Sequence, residues 1–281
     1  MRQYAENDTV TDTIPKTKGD LDLAELPPIS NRPLYVYRVI AKWFCFFIFG
    51  LSTLILITLV FPPMRLLLHP KEKFMKYGRR LISFSMRVFV SLMHMLRVLD
   101  LETENRESFR NLSSKIVAAN HPSLLDVIML FSLIPNADCI VNANMKHNII
   151  MGVVRQLYIL NSLNFEDLSK ACTESLRQGN CLIIFPEGTR TPRSGKVRLK
   201  RGAARISLAS GCGIIPVHIG GTDKYGLGKR DPWTAFNPRD RYVYRIEMEN
   251  EISPEKYRDL SLPLAARAMT NDIYITLFLT S

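Results

Sequence analysis

Cysteine is sparse in this sequence, and nothing about its placement suggests a framework. The five, Cys45, Cys139, Cys172, Cys181 and Cys212, are scattered, odd in number and never spaced C-x-x-C. That argues against a disulfide scaffold or a cysteine zinc site and fits a reducing compartment. Five histidines occur without an H-E-x-x-H pair, so no metal centre is expected. No G-x-S-x-G is present, so a serine nucleophile is not indicated. Internal repeats and low-complexity tracts are also missing. No small-residue cleavage site follows the apolar N-terminal stretch, and the segment before it is too long and too acidic for a secretory signal.

What the sequence does have is positive charge in two places. The 281 residues carry a net charge of +11. Residues 65 to 87 hold Arg65, Lys71, Lys73, Lys76, Arg79, Arg80 and Arg87 against Glu72 alone. Residues 186 to 205 hold Arg190, Arg193, Lys196, Arg198, Lys200, Arg201 and Arg205 against Glu187 alone. The rest of the chain is close to neutral. Two such patches attract anionic lipid headgroups or phosphorylated substrates. Neither interleaves stacking aromatics, and one flanks an apolar stretch, so nucleic acid is not an expected partner.

Length allows one large domain or two small ones. Residues 1–33 are polar, mixed in charge and expected to be a flexible tail. The run WFCFFIFGLSTLILITLVFPPM, residues 43 to 64, has no charge between Lys42 and Arg65. It is long enough to cross a bilayer as a helix, which takes roughly 20 residues. A second stretch, 81 to 99, is interrupted by Arg87, His94 and Arg97 and reads as amphipathic. Residues 34–100 are therefore expected to be two membrane-anchoring helices, either one crossing plus an interfacial helix or a hairpin in one leaflet. Lys and Arg are denser after the first helix, which places residues 65 onward on the cytoplasmic face of the inner membrane if it spans.

From about residue 114 the pattern becomes α/β. SKIVAAN, ADCIVNAN, YILNS, CLIIF, GIIPVHI and RYVYRIEME read as strands. SLLDVIMLFSLI, NIIMGVVRQL, EDLSKACTESLRQG, GAARISLASG and PLAARAMTNDIYITLFL read as helices between and after them. The expectation is an α/β fold over 101–281, a mixed, mostly parallel sheet flanked by helices.

Ligands gather at the carboxyl ends of such strands. Two segments fall there: AANHPSLLD, with His121 and Asp126, and FPEGTRT, with Glu187, Gly188, Thr189 and Arg190. Each has an ordinary reading. Ser123 and Asp126 fit a helix capping box. Pro186 and Gly188 suit a plain turn with Arg190 solvated, and Lys200 and Arg201 suit a solvated basic face.

Together, in this order and some sixty residues apart, NHPSLLD and FPEGTRT resemble the signatures of the glycerolipid acyltransferase family, the lysophosphatidate acyltransferase-like enzymes. LKRGAARIS and GIIPVHI resemble its later blocks, and the likeness covers roughly residues 80 to 220. It implies a membrane-bound acyltransferase, and an N-terminal two-helix membrane anchor also occurs in that family. His121 would be the general base, held by Asp126. Glu187, Gly188, Thr189, Arg190 and Lys200 would bind substrate. The donor would be acyl-CoA or acyl carrier protein, with no cofactor and no metal, and membrane lipids would be partners. The sequence departs from the family in one place. An arginine expected between the two signatures is absent from ILNSLN, and Arg155 lies earlier. A lysophospholipid acceptor and a specialised-lipid acceptor without glycerol phosphate both stay open, as does a membrane-tethered protein that binds anionic lipid without catalysis.

Overall fold

The computed structural model describes residues 9–14, 21–142, 159–161, 164–193 and 195–279. The elements are β1 (Thr9–Ile14), α1 (Arg32–Ile55), a π-helical turn (Leu56–Val60), α2 (Phe61–Leu67), α3 (Lys71–Met95), β2 (Leu99–Glu102), α4 (Arg106–Arg110), β3 (Ile116–Ala119), α5 (Asp126–Leu133), β4 (Ala137–Asn142), β5 (Ile159–Asn161), α6 (Phe165–Arg177), β6 (Cys181–Ile184), β7 (Gly195–Lys200), α7 (Gly202–Ser210), β8 (Ile214–Gly221), β9 (Tyr242–Met248), a 3-10 turn (Pro254–Tyr257) and α8 (Leu262–Phe278). The helix expected over 148–157 lies outside the described residues.

Seven strands form one sheet in the order β2-β9-β8-β3-β6-β4-β5, and among the described residues its only antiparallel pairing is β8 with β9. This is the expected mixed, mostly parallel sheet. Its central strands are short apolar runs because both of their faces are covered. Residues 116–119, Ile-Val-Ala-Ala, are all buried. One face packs against α1, α3 and α5 through Cys45, Phe89, Met93, Met129 and Leu130. The other packs against α6, α7 and α8 through Leu168, Leu176, Ala203, Met269 and Tyr274.

Local sequence explains where the helices stop. In α6 the apolar positions Leu168, Cys172 and Leu176 recur every four residues and are buried. Asn164 caps its start by accepting from Asp167 N–H. At its end Gly179, at φ +84°, donates to Leu176 O while Asn180 N–H reaches Ser175 O. That double bond is a Schellman motif, and it needs a residue that tolerates the left-handed region.

α1 and α3 form an antiparallel hairpin. Tyr37 pairs with Leu96, Phe49 with Phe89 and Phe61 with Phe74, so residue numbers rise along one arm as they fall along the other. The π-helical turn comes just before Pro62 and Pro63, which supply no N–H to the ladder. The apolar stretch Arg32–Leu67 is long enough to cross a membrane. Its first half is nevertheless docked on the α/β domain. Tyr35 Oη accepts from Phe236 N–H, and Arg38 pairs with Asp240. Both ends of the hairpin therefore meet the same domain.

Two features depart from the sequence reading. Within the segment expected to be a tail, Thr9–Ile14 pairs antiparallel with β7, Thr9 opposite Lys200. Its β-branched run TVTDTI suits a strand, but the partner is far away in sequence. The first basic stretch is not one surface either. Arg79 is buried and bidentate to Asp138 on β4, with Nε to Oδ1 at 2.5 Å and Nη2 to Oδ2 at 3.0 Å. Lys71, Lys73, Lys76 and Arg80 remain exposed.

Candidate active site

β3, β6 and β8 are neighbours, and two loops leave their carboxyl ends side by side. Asn120 fixes the exit of β3. Its side chain donates to Ile219 O at 3.1 Å and accepts from Ile219 N–H at 2.7 Å, imitating a strand partner. His121 then stacks on Phe185, the residue that follows β6, with ring centroids 4.2 Å apart.

The His121 Nδ1 to Asp126 Oδ2 distance is 2.8 Å. An ionised carboxylate only accepts, so Nδ1 carries the proton and Nε2 holds the lone pair. Asp126 is fully buried and His121 is partly exposed. The capping-box reading is also partly right. Asp126 accepts from Ser123 N–H at 2.7 Å and from Ser123 Oγ–H at 2.5 Å. The helix itself begins only at Asp126, so the carboxylate points back over the loop and serves the serine and the histidine together. Tyr244 on β9 donates its hydroxyl to Ser123 Oγ at 2.7 Å. Burial holds that phenol well above its ordinary range, so it stays a neutral donor.

The second loop is tied to the first through backbone. His121 N–H donates to Thr191 Oγ1 at 2.8 Å and Glu187 Oε1 at 3.2 Å, and Thr191 N–H donates to His121 O at 2.7 Å. Glu187 also accepts from Thr191 Oγ–H at 2.5 Å. Glu187 is buried, and this revises its place: it braces the histidine loop from inside rather than facing an acceptor. Desolvation pushes its carboxyl up to about 7, against the lowering effect of the hydrogen bonds from Thr191 and His121 N–H.

Gly188, at φ +66°, and Thr189 are exposed at the turn. A Cβ on Gly188 would sit 2.8 Å from Lys200 Nζ, so Lys200 lies against this turn and the absence of a side chain makes room for it. Lys200 N–H also donates to Pro186 O. Arg201 sits at the entry to α7. Arg190 is partly exposed and directs Nη1 at Leu227 O (3.0 Å) and Gly228 O (2.9 Å). Arg193, grouped with the basic patch from sequence, is instead half-buried in ion pairs. It is bidentate to both Asp223 and Asp231, with distances from 2.7 to 3.0 Å.

Sequence reasoning singles out His121, Asp126 and the 187–190 turn, and the structure places them on adjoining loops. It did not find Tyr244, Phe185 or the loop 222–241. Phe185 and Thr191 are the first and last residues of FPEGTRT, so the motif itself marks them. Tyr244 carried no signal, because it reaches the site only through sheet pairing.

Fold and site together define an α/β-sheet protein with a carboxylate-held histidine at the strand ends and an arginine-bearing turn beside it. The model of the family described as Acyltransferase matches residues 100–220. A 1-acyl-sn-glycerol-3-phosphate acyltransferase from Helicobacter pylori is 32% identical over 156 residues, 52% of this chain and 65% of that protein. One from Saccharomyces cerevisiae is 30% identical over 162 residues, 51% of this chain and 52% of that one. A chloroplastic enzyme of the same name from Arabidopsis thaliana is 30% identical over 131 residues, 43% and 36% of the two chains. The matches thus span 36% to 65% of the length of these relatives. In fold, the crystal structure of the 1-acyl-sn-glycerophosphate acyltransferase PlsC from Thermotoga maritima superposes with a TM-score of 0.63 at 19% identity, covering 87% of this chain and 97% of that one. Residues 100–220 thus match the Acyltransferase family, and the chain is similar to 1-acyl-sn-glycerol-3-phosphate acyltransferases.

Proposed function

We propose that the protein transfers a fatty acyl group from an acyl thioester, of coenzyme A or acyl carrier protein, to the free hydroxyl of 1-acylglycerol-3-phosphate. The observation that carries this is the His121–Asp126 pair at 2.8 Å, with the basic Nε2 free for a substrate proton. In the reaction Nε2 takes the hydroxyl proton as the oxygen attacks the thioester carbonyl. Asp126 holds the tautomer and stabilises the imidazolium. The tetrahedral intermediate collapses, the C–S bond breaks, and the imidazolium returns its proton to the leaving thiolate. No acyl-enzyme forms. Arg190 has Nε and Nη2 to offer the acceptor phosphate, with the charge of Lys200 nearby.

The hairpin of α1 and α3 supports membrane association. Its outward face carries Ile40, Phe44, Phe47, Leu51, Leu54, Leu59, Phe84 and Val88, all exposed. Because both arms return to one domain, the hairpin enters and leaves the bilayer on one side, the cytoplasmic face in our reading.

Purified protein in lipid vesicles, given labelled acyl thioester and lysophosphatidate, tests the proposal. Labelled phosphatidate is the expected product. Donor turnover without phosphatidate would instead point to an acceptor lacking glycerol phosphate.

A further inference from the structure

Three cations converge on one loop. Residues 222–241 connect β8 to β9, which pair antiparallel. From the active-site side, Arg190 donates to the carbonyls of Leu227 and Gly228. The Leu227 carbonyl also accepts from Leu124 N–H, in the segment between His121 and Asp126. Arg193 clamps Asp223 and Asp231, and Asp231 in turn accepts from the N–H groups of Gly226 and Gly228. From the opposite side comes Lys42 on α1. Its ammonium is fully buried and donates to Ala235 O at 2.5 Å, Trp233 O at 2.8 Å and Gly226 O at 3.5 Å. An ammonium has three protons, and here each has a carbonyl. Gly226, next to Leu227, sits at φ +90° with Ala235 O only 2.0 Å from where a Cβ would be, so the loop is folded tightly on itself at this point.

We propose that Lys42 is a positioning residue for acceptor binding: by gathering the carbonyls of 226, 233 and 235 it sets the loop whose next two carbonyls orient Arg190. The anchor helix thereby shapes the acceptor site as well as holding the protein at the bilayer. A buried ammonium is costly to keep unless its protons are taken, and here the loop's carbonyls take them. The chain of contacts is continuous, from Lys42 Nζ through Gly226 and Leu227 to Arg190 Nη1. The inference rests on Arg190 contacting the acceptor, as proposed above.

A double-mutant cycle on the full chain in phosphatidylcholine vesicles, read as acceptor and donor KM, tests it. Lys42→Met should raise the KM for lysophosphatidate about tenfold, with kcat and donor KM near wild type. Lys42→Gln, which keeps two donors, should fall between, and it carries the same comparison if the methionine variant fails to accumulate. In an Arg190→Ala background neither substitution should raise KM further. A purely structural role would lower the yield of active enzyme without moving KM. If Arg190→Ala raises acceptor KM and the Lys42 variants do not, this inference is wrong and the proposed function stands. Additive effects of the two sites also overturn it. If Arg190→Ala leaves acceptor KM unchanged, the acceptor reading and this inference fall together.

Discussion

At the scale of single residues, the site divides into groups that touch the reaction and groups that hold them. On the proposed mechanism, His121 is the first kind. Replacing it with alanine removes the base, and turnover should fall about 10²–10⁴-fold while the protein stays folded and membrane-bound. Asp126→Asn should lose activity too, because it perturbs the tautomer and leaves a buried loop short of an acceptor. Near-native transfer by His121→Ala in the vesicle assay would return Asp126 to a merely structural role. Glu187 is the second kind, and its effect is on stability against pH. Its folded pKa is about 7, above the ordinary carboxylate value near 4.3. The unfolded chain therefore releases this proton at lower pH than the folded one. Its stabilising contribution is complete below about pH 4 and is lost as pH rises through 7. A shift of that size corresponds to on the order of 3 kcal/mol. Denaturant titrations at pH 5 and pH 8 should show Glu187→Gln flattening this decline relative to wild type. An unchanged slope would mean that Glu187 is ionised in the fold.

Elements are held to each other by a few internal ion pairs set in apolar surroundings. Arg79 joins α3 to β4, and Asp138 also accepts a hydrogen bond from Ser175 on α6. Three elements thus share one carboxylate. Arg79→Ala leaves that carboxylate buried without its cation, and such losses cost about 3–5 kcal/mol. Urea unfolding of the variant should show a drop of that order, and a change below about 1 kcal/mol would mean that water reaches Asp138. How well each element could be read from sequence follows the same physics. CLIIF and KIVAAN are strands because buried parallel strands must be apolar on both sides. α6 could be read to its last turn because its cap, its four-residue spacing and Gly179 are all local signals. β1 was missed because only its distant partner β7 makes it a strand. Arg79 and Arg193 read as surface charge because nothing local marks Asp138, Asp223 or Asp231 as their partners. The loop 222–241 was illegible for a related reason. Its ligands are backbone carbonyls, which every residue has.

For the whole molecule, the hairpin is docked on the domain, and on the proposed reading the two face the bilayer together. The exposed apolar stripe of α1 lies opposite the docked residues Tyr35, Lys42 and Cys45. Trp43 and Trp233, one from the hairpin and one from the loop, lie with centroids 6.4 Å apart and are both exposed. Such a pair suits the headgroup level, where an aromatic ring meets both water and lipid. Carbonate extraction should leave the intact protein in the membrane pellet. Removing residues 34–64 should release it and, because Lys42 leaves with them, also weaken lysophosphatidate binding in detergent. Full retention in the pellet without 34–64 would shift the anchor to α3 and the exposed basic residues at its start.

The three carbonyls that receive the Lys42 ammonium lie 184 to 193 residues further along the chain. During synthesis at about 5–20 residues per second, the hairpin emerges roughly 10–40 seconds before those partners exist. α1 is thus made well before the loop whose carbonyls it holds, and on the proposed reading the acceptor side of the site is completed only once residues 226–235 have followed.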